Sequence, residues 1–163
     1  YFPNIKIIEE EVIYKLIENV IEFRDAKRKE IEKERLLGLS TLCKMKILHQ
    51  YVFRNTKPAI FGVRVEAGKA ISGLSLIDET GEKIGRIKNI QLEKNSVQEA
   101  REGMEVAISI PSANFEREIK NKQFLYSDIS ENQFKTFKKN KDLLSRNELS
   151  VLQEIAQIKR FNI

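Results

Sequence analysis

Residues 61–66 read Phe-Gly-Val-Arg-Val-Glu, and every second side chain is apolar. That is the period of a strand with one face buried, and it does not fit a helix. A polar and basic run, Arg54-Asn55-Thr56-Lys57, comes before it and is ended by Pro58; Gly68 follows it as a turn signal. The whole stretch from Tyr51 to Gly68, YVFRNTKPAIFGVRVEAG, therefore predicts a hairpin arm of a small barrel. Gly62 leaves a gap in the side-chain layer of that strand. A bulge forms at such a gap, or another backbone or a ligand comes close.

The rest of the chain is arranged around this arm. Between Lys44 and Asp128, short strand candidates fall at 44–48, 51–53, 59–66, 74–78, 83–92, 105–110 and 124–127. Turn signals separate them at Gly68, Ser72-Gly73, Glu79 to Glu82, Asn95 and Pro111-Ser112. Short strands at regular spacing predict a closed antiparallel barrel over residues 41–128, closure being one way to remove exposed sheet edges. Residues 9–40 are expected to form a long connecting helix. From Glu9 to Leu37 there is neither Gly nor Pro, Glu9, Glu10 and Glu11 complement the helix dipole, and Gly38 is placed as a C-cap. The apolar face made by Val12, Ile13, Leu16, Ile17, Val20, Ile21 and Phe23 gives way after Arg24 to alternating charges, so the first half is expected to pack and the second to cross solvent. Ser130 and Ser145 head two C-terminal helices over 129–163, the second with a capping-box spacing to Glu148. Residues 1–8 read as a strand left from a preceding domain. The fold class expected is α+β: long N-terminal helix, closed barrel, two-helix extension.

Composition narrows the function. An apolar fraction of 41% can form a core, and no run of about 18 apolar residues predicts a membrane span. One Cys and one His leave nothing for a disulfide or a Cys/His metal site, and a reducing, cytoplasmic location is the expectation. The net charge of +5 is uneven: residues 1–43 carry 8 basic and 9 acidic groups, 44–128 carry 14 and 11, and 129–163 carry 7 and 4. A positive middle and tail suit RNA or an acidic peptide as partner. There is no phosphate-binding GxxxxGK[ST] loop, no GxGxxG and no GxSxG elbow. Cys43 and His49 stand without second catalytic groups, and the carboxylates of Glu102-Gly103-Met104-Glu105 read as a solvated turn. The chain reads as a binding module.

At YVFRNTKPAIFGVRVEAG and at REGMEVAISI the chain resembles the C-terminal region of translation initiation factor 5B of archaea and eukaryotes, the relative of bacterial initiation factor 2. EEEVIYKLIE resembles the start of that family's connecting helix, after the last strand of its third domain; KMKILHQYVFR resembles the opening of its fourth domain; FLYSDISENQF resembles the lead into its C-terminal extension. His49 stands where the family usually has Pro. The archaeal form fits best, the tail being compact. The resemblance implies a complete factor that is a ribosome-dependent GTPase promoting subunit joining, with GTP and Mg bound by a domain this chain does not carry. It implies no catalytic residues and no metal here, a barrel of the translation-factor domain II type, and a monomeric fragment with no membrane partner.

The partners implied are the ribosome, the aminoacyl-CCA end of initiator methionyl-tRNA for the barrel, and the tail of translation initiation factor 1A for the helices. By resemblance to the bacterial pocket, the tRNA contacts fall on Phe61, Gly62 and Val63, on Gly103, Met104, Glu105, Val106 and Ala107, and around Gln91 and Lys94. Charge and proximity to the strand add Arg54 and Lys57 as phosphate contacts. For the partner tail, Phe134, Phe137, Leu149, Leu152, Ile155 and Phe161 are expected to form a groove, with Lys138, Lys139 and Lys141 attracting an acidic chain. The alternative reading is a protein-interaction module in which the barrel is only a ribosome-facing spacer.

Overall fold

The computed structural model describes residues 13–37 and 42–161. The chain divides into two compact units, Tyr1–Gly38 and Leu39–Ile163.

In the first unit, α1 runs from Ile13 to Leu37 without a Gly or Pro to break it. Ile13, Ile17 and Ile21 lie on one face at i, i+4 and i+8, and are 71%, 52% and 52% exposed. Later turns are charged, and Lys27 pairs with Glu30 at 3.1 Å. The acidic run Glu9 to Glu11, the expected strand 1–8 and the Gly38 cap lie outside the described residues.

The second unit is built on nine strands: β1 (Cys43–Arg54), β2 (Ala59–Ile71), β3 (Ser75–Asp78), β4 (Lys83–Arg86), β5 (Asn89–Leu92), β6 (Asn95–Val97), β7 (Glu99–Arg101), β8 (Glu105–Ile110) and β9 (Phe124–Ser127). They pair in the order β4-β3-β9-β1-β2-β8-β5-β6, with β7 added to the end of β2. This corrects the expected closed barrel. The sheet is a curled antiparallel half-barrel whose end strands, β4 and β6, do not pair with each other. These ends are only four and three residues long. The chain itself crosses between the two sides at Ile87-Lys88: Ile87 N donates to Leu74 O at 3.0 Å and Lys88 N to Ser109 O at 2.8 Å. The strand expected over 83–92 is thereby split in two.

Alternation sets the layers. In β8, Val106, Ile108 and Ile110 are buried, while Glu105, Ala107 and Ser109 face outward and are exposed or half-buried. Phe61, Val63 and Val65 of β2 join them inside with Met45, Ile90 and Leu125, and Phe61 packs on Phe115 at 5.2 Å between ring centroids. Gly68 is not the expected turn. Strand β2 runs through it at φ +72 and pairs it with Cys43, next to a register shift at Lys44/Met45. A Cβ there would stand 1.8 Å from Leu42 O, so only glycine fits. The separate candidates at 44–48 and 51–53 form one strand, its register with β2 shifted between Leu48 and Val52.

After β9 come α2 (Glu131–Lys139) and α3 (Arg146–Lys159). Ser130 and Gln133 make a reciprocal capping box, and Ser145 accepts from Glu148 N at 3.2 Å. Helix α3 packs on β1, β2 and α2, burying Val151, Leu152, Ile155 and Ala156. Polar contacts fix it there: Lys44 Nζ lies 2.9 Å from Glu154 Oε2, Tyr126 OH donates to the same oxygen at 2.6 Å, and Lys159 pairs with Asp128 and donates to Ile129 O at 2.8 Å.

Candidate functional site

On the outer face of the sheet, register aligns Leu48, Gly62, Ala107, Gln91 and Ser96 in one row across β1, β2, β8, β5 and β6. The centre of that row is glycine and alanine, so the surface sinks where its neighbours stand up. The result is a groove of about 580 Å³ with Leu48, Ile60, Val106 and Ala107 in its lining. Tyr51 and Phe53 form part of its wall and remain 51% and 66% exposed. A Cβ on Gly62 would lie 2.9 Å from Tyr51 Cβ, so the missing side chain is what lets β1 pass this close over β2. Glu93 and Lys94 also line the groove. Both have positive φ, +50 and +70, forming the two-residue turn between β5 and β6 whose twist suits a hairpin. The turn therefore falls two residues earlier than Asn95, where the sequence signal puts it.

Of the expected tRNA contacts, Gly62, Gln91, Lys94, Glu105, Val106 and Ala107 come together in this groove. Phe61 and Val63 do not: both are fully buried and belong to the core, because they alternate to the inside of β2. Gly103 and Met104 sit in the turn between β7 and β8, where Met104 packs against the core and Gly103 N donates to Val65 O at 2.7 Å. Arg54 and Lys57 are exposed at the β1–β2 connection, outside the groove lining, with Arg54 Nε 3.4 Å from Thr56 Oγ1. Sequence reading misses Leu48, Tyr51, Phe53, Ile60 and Glu93. Tyr51 and Phe53 carry a usable signal: aromatics two apart in a strand share a face, and here that face has no core to enter.

The row next to the groove is Lys46, Arg64 and Glu105, paired across β1, β2 and β8. Arg64 Nε lies 4.0 Å from Glu66 Oε1. Beyond it the outer face is covered by α3. Burial there works against ionisation of Glu154, but hydrogen bonds from Tyr126 and Lys44 outweigh it and hold the carboxyl below its ordinary range. Burial, then the Glu154 contact, push the Tyr126 hydroxyl the other way, upward. Burial of Asp78 likewise opposes its charge, and is overcome by hydrogen bonds from Thr80, Lys122 and the Glu82 amide.

The terminal helices differ from the expected partner groove. Phe134, Phe137, Leu152 and Ile155 are buried, and Phe134 stacks on Phe161 at 5.3 Å. They hold the helices together and to the sheet; they do not line an open channel. Leu149, Phe161 and Lys138 are half-buried, and Lys139 and Lys141 are exposed. Cys43 is fully buried, which pushes its thiol up to about 12 and makes it inert at neutral pH. His49 is exposed and edge-on to Phe115 at 6.3 Å. Among the described residues, no three His, Cys, Asp or Glu side chains cluster to hold a metal, and no helix is long and apolar enough to cross a membrane.

Comparison with known proteins agrees with this architecture. The family model for elongation factor Tu domain 4 matches residues 42–126, which take in β1 through most of β9. The chain is 41% identical over 158 residues to the probable translation initiation factor IF-2 of Methanoculleus marisnigri, covering 96% of this chain and 27% of that protein. Against the Methanopyrus kandleri protein of the same name it is 44% identical over 134 residues, 80% of this chain and 22% of the relative. The crystal structure of GDP-bound aIF5B from Aeropyrum pernix superposes with a TM-score of 0.71 at 37% identity, over 93% of this chain and 26% of that one. The chain thus spans about a quarter of the length of the curated relatives it matches. It belongs to the elongation factor Tu domain 4 family and corresponds to the C-terminal region of archaeal translation initiation factor IF-2, also called 5B.

Proposed function

We propose that this chain holds the aminoacyl-CCA end of initiator methionyl-tRNA in the outer-face groove. The observation that carries the reading is an apolar hollow, floored by Gly62 and Ala107, walled by two exposed aromatics and rimmed by Lys94 and Glu105. A single-stranded end is held by aromatic faces that take bases and by cations that take phosphates. A methionyl side chain is unbranched and polarisable, and suits an irregular apolar hollow with aromatic edges. An ester seated there is shielded from water.

The remaining parts rest on the family resemblance. The complete factor is proposed to be a cytoplasmic, ribosome-bound GTPase, with GTP and magnesium held by a domain outside this chain. The fragment is proposed to be monomeric. For translation initiation factor 1A, the proposed contact moves from the buried phenylalanines to what the helices leave at least partly open: Lys138, Lys139 and Lys141, with the half-buried Leu149 and Phe161. Cations of that kind steer an acidic tail more than they bind it tightly.

The test is the spontaneous hydrolysis rate of initiator methionyl-tRNA with and without the protein. Slower hydrolysis is expected with the wild-type chain and the free rate with Ala107→Leu, which fills the groove. Equal rates with and without saturating wild-type protein would overturn the reading.

A further inference from the structure

Beside the groove lies a second, shallow hollow of about 550 Å³, lined by Ser72, Gly73, Gly85, Arg86, Lys88 and Ser112. Arg86 and Lys88 are exposed, and among the described residues neither enters an ion pair. Lys69, Arg101 and Lys122, by contrast, are each matched to a carboxylate: Glu99 for the first two, Asp78 for the third. Cations left without acids in a concave polar surface attract an anion.

The two hollows are connected along one stretch of chain. Asn89 pairs with Ser109, Ser109 pairs with the groove residue Ile60, and Lys88 N donates to Ser109 O. At about 3.3 Å per extended residue, Gln91 to Lys88 is at most about 10 Å and Gln91 to Arg86 at most about 17 Å. The side chains in between, Asn89 and Ser109, are polar and face outward. The opposite rim of the groove is less suited to a phosphate, because Glu105 borders it and Arg64 already has Glu66 within 4.0 Å. The geometry points to Arg86 and Lys88 as a phosphate clamp for the nucleotides that precede the 3′ end. The strand leaves the groove along β5 toward β4. This rests on the groove reading above and adds the direction of the strand.

The test measures binding of initiator methionyl-tRNA to the chain across a salt series, for wild type and three variants. Arg86→Ala/Lys88→Ala removes the clamp, Lys46→Ala/Arg64→Ala removes equal charge from the other rim, and Ala107→Leu fills the groove. Circular dichroism confirms that each is folded. The clamp variant is expected to bind about tenfold more weakly, with the slope of log affinity against log salt reduced by about 1.4, or about 0.7 for each lost single-strand contact. The other charge pair is expected to keep nearly the full slope. An unchanged slope in the Arg86/Lys88 variant overturns the clamp, and so does an equal loss in the Lys46/Arg64 variant, which would reflect only the overall field. If Ala107→Leu alone abolishes binding while the Arg86/Lys88 variant keeps its slope, the groove stands and the clamp falls. If Ala107→Leu binds as wild type, the groove reading falls, and the 3′-end placement with it.

Discussion

The outer face of one sheet is used in two opposite ways. At one end, α3 covers it and is fixed by Lys44, Tyr126 and Glu154. At the other, Gly62 and Ala107 leave it hollow, and Tyr51 and Phe53 stand in solvent. Backbone pairing is shared, so the difference lies in side chains. Large apolar residues on a facing helix turn the surface into core, each contributing about 1.5–3 kcal/mol when fully buried. Small residues below exposed aromatics leave an area that nothing in the described residues covers. One half stabilises the fold, and the other stays open to solvent.

Substitutions in the two halves should separate these roles. The largest effect is expected for Ile155→Ala, fully buried on the sheet-facing side of α3: a loss of about 2–5 kcal/mol in denaturant unfolding. A loss under about 1 kcal/mol would mean that the helix contributes little, and the contrast would fail. Tyr51→Ser and Phe53→Ser are expected to change stability by no more than about 0.5 kcal/mol. Each should weaken methionyl-tRNA binding by about 1–3 kcal/mol if it stacks on a base. A stability loss larger than the binding loss would make these aromatics structural.

A pH series sharpens the contrast. The Glu154 carboxyl ionises below its ordinary 4.5 when folded. Its contribution is therefore present above about pH 4.5 and is lost as pH falls through the lower folded value. Glu154→Gln is expected to start less stable at neutral pH and to show a shallower loss in acid. Parallel curves would mean that the contact is not formed in solution. The smallest effect is expected for Lys139→Ala with Lys141→Ala: folding stability within about 0.5 kcal/mol of wild type, and slower association with an acidic peptide at low salt.

Much of this is legible in the sequence, and the limits follow physical lines. Period-2 patterning locates β2 and β8, because each buries one face along its length. It misses β6 and β7, which at three residues carry too little pattern to register. Strand count suggests a closed barrel, but closure depends on strand length and register, which local pattern does not carry. Motif resemblance brings Gly62 and Glu105 to Ala107 to the site, yet includes Phe61 and Val63. Alternation alone excludes those two, since they share the apolar face with Val65. The apolar spacing in the C-terminal helices fits a partner groove; the same spacing is what a helix needs to pack on its own sheet, and here the core takes it. Gly68 looks like a turn because positive φ and glycine are common in turns. Here the demand comes from Leu42 O, just ahead of the neighbouring strand β1 and distant in sequence.

The position of β1 in the sheet has a mechanical consequence. It begins at Cys43 and is held on one side by β2 and on the other by β9, both antiparallel to it. A pull applied at the N-terminal end of this strand loads both ladders along their length, so several hydrogen bonds share the strain at once. An edge strand pulled sideways would give them up singly. The half-barrel thus resists in shear at the point where tension from the preceding chain would arrive, and can pass a displacement on to its outer face without first unravelling.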